Sequence, residues 1–195
     1  MTQRTDIEFT ADDGTVLRGW LFIPDGPGPH PAITTAHGYA GTREHGIEGF
    51  ARLFAGNGFA VLLHDHRGFG GSGGEPRQDV DPWQQVSDWR RAISYLESRP
   101  EVDEGRIGLW GTSYAGGHAI VLGATDRRLR AVVAQVPTIS GYEQACGASP
   151  RTQRPPSSSP STTTSGHGSA ASRSGTRRLS ARTRRYPRPT GHRTR

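Results

Sequence analysis

Arg106-Ile107-Gly108-Leu109-Trp110-Gly111-Thr112-Ser113-Tyr114-Ala115-Gly116-Gly117-His118-Ala119-Ile120-Val121-Leu122-Gly123-Ala124 is the stretch around which the chain is organised. An apolar run ends at Gly111, a serine follows two residues later, and a small-residue helical pattern starts at once. The order is strand, sharp turn, helix. A serine hydroxyl is a poor nucleophile unless a base takes its proton, so a catalytic serine must be held exposed where a histidine can reach it. A tight turn does this, and it forces the positions two before and two after the serine to be small, here Gly111 and Ala115. The usual pattern is G-x-S-x-G; G-T-S-Y-A departs from it only in the methyl of Ala115. The strand before and the helix after support a nucleophilic Ser113.

With 195 residues the chain can hold one ordinary domain or a piece of a larger one. All 18 acidic residues lie at or before Glu143, whereas 11 of the 24 basic residues lie from Arg151 onward. The part up to Glu143 therefore carries 13 basic against 18 acidic residues, net −5, and the remainder is net +11. The formal +6 belongs to the tail, so the basic balance says nothing about what the folded part binds. No lysine occurs, which points to a GC-rich codon bias. The single cysteine, Cys146, excludes an intramolecular disulfide and fits no metal-ligand spacing. The first twenty residues have no apolar signal core, and no run approaches the ~18 apolar residues of a membrane helix. A cytoplasmic protein with no metal and no membrane contact is expected.

Outward from the serine, the elements alternate. Ile7 to Thr10 and Val16 to Ile23 flank Asp13-Gly14 as a hairpin. Pro24 to Pro31 reads as a loop, and Ala32 to Ala36 as a buried strand running into His37-Gly38-Tyr39-Ala40-Gly41. Glu48 to Ala55 reads as a helix with Ile47, Phe50, Leu53 and Phe54 on one face. Phe59 to Leu63 is a continuous apolar run, the mark of a strand covered on both faces. Asp81-Pro82 starts a helix whose stripe, Trp83, Val86, Trp89, Ile93 and Leu96, is core. Leu129 to Ala134 is the strand after the serine's helix. Such alternation predicts a mostly parallel, helix-covered sheet.

Three further constellations bear on chemistry. His37-Gly38 ends a strand, so the Tyr39 N–H is placed to face a substrate oxygen. Paired with the N–H of Tyr114, it would form an oxyanion hole. Asp65-His66-Arg67-Gly68-Phe69-Gly70-Gly71-Ser72-Gly73 is glycine-rich, but it lacks the G-x-x-x-x-G-K-[ST] spacing of a phosphate loop. An Asp65–Arg67 pair bracing a tight turn is expected there. His118, one turn into the serine's helix, is expected inside the fold with its ring nitrogens satisfied, not above Ser113 as a base.

The order His37-Gly38, then Asp65-x-Arg67-Gly68-x-Gly70-x-Ser72, then Gly111-x-Ser113-x-Ala115-Gly116-Gly117 closely resembles the α/β-hydrolase superfamily. Within it, Asp65 to Gly74, Asp81-Pro-Trp-Gln-Gln-Val and Gly111-Thr-Ser-Tyr-Ala-Gly-Gly-His are similar to the dienelactone-hydrolase and X-Pro dipeptidyl-peptidase type, and to polyketide transferases of the same fold. The resemblance covers residues 1 to about 142. It implies an eight-stranded sheet, parallel but for one strand. It also implies acyl transfer through an acyl-serine at Ser113, on a small-molecule ester, thioester or amide, without a cofactor. In that family the acid and then the histidine follow the serine in the chain.

Here the sequence departs from the family. No Asp or Glu follows Glu143, and from Cys146 the text is dominated by Arg, Ser, Thr, Pro and Gly without apolar periodicity. Such a segment cannot offset the entropy of ordering, so residues 143–195 are expected to be a disordered basic tail behind a partial domain, 1–142, with about six of the eight strands. The abrupt change near 143–147 is what a shifted reading frame leaves. His167 and His192 in such a tail make poor general bases, and full activity is expected to be lost. The alternative, a non-enzymatic fragment binding nucleic acid nonspecifically through its arginines, lacks the aromatic interleaving of a specific site, since Tyr186 is the tail's only aromatic residue. Substrate identity and oligomeric state are not legible.

Overall fold

The computed structural model describes residues 3–148. Six strands form one sheet: β1 (Gln3–Thr10), β2 (Val16–Ile23), β3 (His30–Ala36), β4 (Ala60–His64), β5 (Val102–Thr112) and β6 (Leu129–Gln135), in the order β1-β2-β4-β3-β5-β6. Only β2 runs against the other five. The β1–β2 hairpin closes at Thr10↔Val16, with Gly14 supplying a positive φ of 87° in the loop. Four helices accompany the sheet: α1 (Glu48–Gly56), α2 (Pro82–Glu97), α3 (Tyr114–Thr125) and α4 (Gly141–Ala148). The first three lie in the predicted places. The fourth crosses the boundary expected between 142 and 143, and residues 149–195 of the expected tail lie outside the described ones.

Strand residues divide by alternation between two cores, as a pleat with a two-residue period requires. Leu21, Leu62, Ile107 and Leu109 pack with Val86, Trp89, Ile93 and Leu96 of α2 and with Ala115, Ala119 and Leu122 of α3. Their neighbours Trp20, Phe22, Val61, Leu63 and Trp110 face the other way, toward Ile47, Ala51 and Ala55 at α1. Asp81 caps α2 by accepting from the backbone N–H groups of Trp83 and Gln84 at 2.9 and 3.1 Å, with Pro82 at the first helical position.

Two helix faces differ from the sequence reading. On α1 the fully covered side is Ile47, Ala51 and Ala55, while Leu53 is exposed and Phe50, though stacked on Trp110 at 4.9 Å, stays 42% exposed. The small alanines let α1 sit close to the sheet, and its large side chains spill over the rim. On α2, Trp83 in the first turn leaves the predicted stripe and is 70% exposed, while Val86, Trp89, Ile93 and Leu96 are buried.

Strand order also places the crevice. From β3 the chain passes through α1 to β4 on one side and later, through α2, to β5 on the other, so the order reverses between β3 and β5. In open α/β sheets the ligand crevice lies at the carboxyl ends of the strands at such a switch point. Both His37-Gly38 and Ser113 leave the sheet there.

Candidate active site

The parallel register pairs Ala36 with Gly111, so the residues that follow them, 37–39 and 112–114, emerge side by side. A side chain at Gly38 would place its Cβ 3.2 Å from the Cβ of Ser113, which makes the approach of the two loops dependent on glycine. At Gly111 the restriction is tighter, since a Cβ there would lie 2.3 Å from the Ala115 carbonyl oxygen. Ala115 itself is fully buried, and its methyl fits where the usual pattern has glycine.

Ser113 has φ 56° and ψ −120°. The positive φ agrees with the sharp turn read from the sequence, while ψ lies far from that of a left-handed helix. Hydrogen bonds on both sides of the residue account for the rotation. Its N–H donates to the Gln135 carbonyl at 2.9 Å, and its carbonyl accepts from the N–H groups of Thr138 at 2.9 Å and Gly117 at 3.3 Å. The last residue of β6 and the loop after it thus hold the serine by both of its peptides. Gly116 and Gly117 make room for that loop: a Cβ on them would meet Pro137 Cα at 3.0 Å and the Thr138 oxygen at 2.5 Å.

Ser113 is half-buried, and among the described residues its hydroxyl has no hydrogen-bond partner. The N–H groups of Tyr39 and Tyr114 likewise find no acceptor among them. The rings of these two tyrosines meet edge to face at 5.4 Å, and Tyr114 opens α3, where unpaired N–H groups and the helix dipole favour negative charge.

His37 is buried beneath this arrangement. Its Nδ1 lies 2.9 Å from the Gly38 carbonyl oxygen, and its Nε2 accepts from the His66 N–H at 3.3 Å. Desolvation lowers its pKa below that of a free imidazole. Both ring nitrogens are used, so it is not available as a base for Ser113.

Asp65 and Arg67 brace the glycine-rich turn, but not as the expected pair. Asp65 accepts from the backbone N–H groups of Arg43 at 2.7 Å and Gly71 at 3.0 Å, with the Arg43 guanidinium 3.5 Å away. Arg67 instead bonds Asp88 on α2 and Asp13 in the first hairpin. Residues two apart in an extended segment share a side of it, yet the turn that begins at His66 rotates Arg67 toward α2 and leaves Asp65 facing Arg43. These ion pairs raise the Arg67 pKa, while burial raises that of Asp88 against the pull of the guanidinium. Gly70 has φ 48°, and a Cβ there would lie 2.2 Å from the Asp65 carboxylate. The loop closes on itself through Gly68 N–H to Gly73 O and through Arg77, which donates to the Ser72 and Gly70 carbonyls. It spends its polar groups internally, as a structural turn and not a phosphate cradle.

His118 is buried as expected, with Nε2 at 2.9 Å from Gln85 Oε1, and desolvation takes its pKa down to about 4. The sequence reading missed its company. His37, His64 and His118 each meet His66 edge-on, at 4.8, 5.3 and 5.6 Å, and His64, His66 and His118 lean on Trp89. All four are buried, and burial lowers every pKa, to about 3 for His64. The signal available in the sequence was His64-x-His66 at the end of a buried strand. No group of metal-binding geometry occurs among the described residues.

Two grooves flank the site. One of about 310 Å³ borders the elbow directly and is lined by Trp83, Tyr114, His118 and Ile139 among others. The larger, about 490 Å³, lies away from the carboxyl ends of the strands against Phe54, Trp110 and Val133, and Ser113 lines neither groove. Size therefore does not locate the chemistry; the strand ends do. No helix among the described residues is long and apolar enough to cross a membrane.

Residues 13–192 match the family model of the X-Pro dipeptidyl-peptidase (S15 family). The quorum-quenching protein AidA of Acinetobacter baumannii is 38% identical over 147 residues, covering 75% of this chain and 48% of that protein. Thiohydrolase aneE of Aspergillus aculeatus is 40% identical over 135 residues, 69% of this chain and 42% of its own. Among solved structures, the α/β hydrolase GrgF of Penicillium sp. sh18 superposes with a TM-score of 0.63 at 37% identity, over 66% of this chain and 44% of that one. The chain spans about half the length of the curated relatives it matches.

Proposed function

The chain belongs to the X-Pro dipeptidyl-peptidase (S15) family and has the α/β-hydrolase fold, and from this we propose that it carries the nucleophilic half of a serine-dependent acyl hydrolase. Ser113 is the nucleophile, and the N–H groups of Tyr39 and Tyr114 receive the oxyanion. The observation that carries this reading is the elbow. It holds a serine hydroxyl without a partner among the described residues at the switch-point crevice, where the backbone N–H groups of Tyr39 and Tyr114 also have no acceptor among them. His37, Gly38, Asp65, Arg67, Gly111 and Ala115 shape the turns and take no direct part.

In the reaction, Ser113 Oγ attacks the acyl carbonyl carbon, its proton passes to a base, and the tetrahedral oxyanion rests on the two N–H groups until the leaving group departs. Water then releases the acyl group by the same steps. Transfer to an acceptor other than water differs only in that second nucleophile, and the thiohydrolase and polyketide-transferase names among the relatives favour a thioester or ester of a small molecule.

No described imidazole or carboxylate bonds the Ser113 hydroxyl, and no acidic residue follows Glu143. The reading therefore assigns this chain only the residual rate that donors and binding supply without a base, on the order of 10³–10⁴ over water by the serine-protease precedent. The partial domain runs past the expected boundary at 142 to the end of α4 at Ala148, and the residues after it are taken to supply no catalytic group. Reaction with p-nitrophenyl acetate followed by peptide mass spectrometry tests this: a slowly formed acetyl adduct on the peptide carrying Ser113, absent from Ser113→Ala, supports it, and the lack of any such adduct overturns it.

A further inference from the structure

Resting on that reading, we infer that His37 is a positioning residue whose imidazole fixes the Gly38–Tyr39 peptide and so aims the Tyr39 N–H at the oxyanion. The Gly38 carbonyl and the Tyr39 N–H belong to one planar trans peptide, in which they point in opposite directions. Holding the oxygen therefore sets the direction of the N–H. The oxygen is held twice, by His37 Nδ1 at 2.9 Å and by the Gly41 N–H at 3.3 Å.

The ring has no freedom to do otherwise. Its Nε2 accepts from the His66 N–H, which assigns the proton to Nδ1 and makes that nitrogen the donor to Gly38. The rings of His66 and Phe69 flank it at 4.8 and 5.9 Å. Gly41 presses on it from the loop, where an added Cβ would stand 3.3 Å from His37 Cβ. Donation into a buried carbonyl also polarises the peptide and strengthens its N–H as a donor, since bonds in series reinforce one another. Gly38 in turn lies against Ser113, where an added Cβ would stand 3.2 Å from the serine Cβ, so the fixed peptide is attached to a residue that packs on the nucleophile. Desolvation disfavours the cationic ring, which would lose the Nε2 acceptor that fixes its orientation.

The test uses the full chain with ¹⁵N-labelled histidine. Two-bond ¹H–¹⁵N correlation of the His37 ring is expected to show the Nδ1–H tautomer at about pH 8 and a titration displaced below that of a free imidazole. An Nε2–H tautomer, or titration near 6.5, overturns the inference without any variant. In parallel, the second-order rate of fluorophosphonate labelling is expected to fall about 10- to 100-fold in His37→Ala, less than the ~10²–10³ lost with a whole oxyanion donor. His37→Asn places an amide N–H where Nδ1–H stood and is expected to recover most of that loss; equal rates in His37→Ala and the parent chain overturn the role. Labelling that survives Ser113→Ala counts against the nucleophile assignment, whereas the ring tautomer judges His37 by itself.

Discussion

At single residues, the site depends on where a methyl group fits and where it does not. Gly111→Ala would place its Cβ 2.3 Å from a backbone oxygen that cannot swing away, so the elbow must shift. A loss of about 1–3 kcal/mol or more is expected in denaturant unfolding. Ala115→Gly restores the commoner pattern but removes a buried methyl near a helix start, and costs about 1 kcal/mol. A larger loss at 115 than at 111 would contradict the geometry. Gly111, Ser113 and Ala115 were legible in the sequence because turn chemistry leaves a pattern of small residues. The bonds from Gln135 and Thr138 to Ser113 were not, because a backbone group can accept or donate whatever side chain it carries. The partner of Asp65 was misread for a related reason: adjacency in sequence suggested Arg67, and the fold supplied Arg43.

At the level of elements, the ends of β3 and β4 and the start of α3 share the buried imidazoles, and their titration sets a pH dependence. His37, His64, His66 and His118 have folded pKa values below that of a free histidine, because burial penalises the cation. The unfolded chain then binds more protons below about pH 6.5. The stability these residues allow is fully present above that pH and falls as pH drops, by at most ~1.4 kcal/mol per unit for each histidine, until the folded values are reached. Carboxylates held low by arginines, Asp126 and Glu101 among them, add their losses only below about pH 4.5. Urea midpoints should thus decline between pH 6.5 and 5, and His64→Phe should flatten the decline; a level profile over that range would contradict the buried cluster. The helices and strands were readable from periodicity, since α2 and β4 are written for burial. Which face of α1 packs was not, because alanine and phenylalanine are both apolar and only the sheet's shape chooses between them.

For the molecule as a whole, β6 is the last strand of the sheet, paired only with β5 among the described residues, and Val133, Val136 and Ile139 stand exposed along and after it. Natural sheets block such an edge with charge, proline or a covering element, and each large side chain left in water forgoes ~1.5–3 kcal/mol. Net stability is only ~5–15 kcal/mol, so the chain by itself is expected to melt below about 50 °C and to self-associate. Val133→Lys should slow the growth of light scattering; a sharp transition well above that temperature in a monomeric sample would count against this expectation. The fold as far as β6 was legible, because alternation of strands and helices is a local signal. The half of the relatives' length that this chain does not span leaves no such trace. The central claim is that Ser113 is a nucleophile, and mapping of the fluorophosphonate adduct by peptide mass spectrometry tests it most directly. The account predicts slow formation of one adduct, on the peptide containing Ser113 and absent from Ser113→Ala. No adduct after saturating exposure, or one that persists in Ser113→Ala, would contradict it.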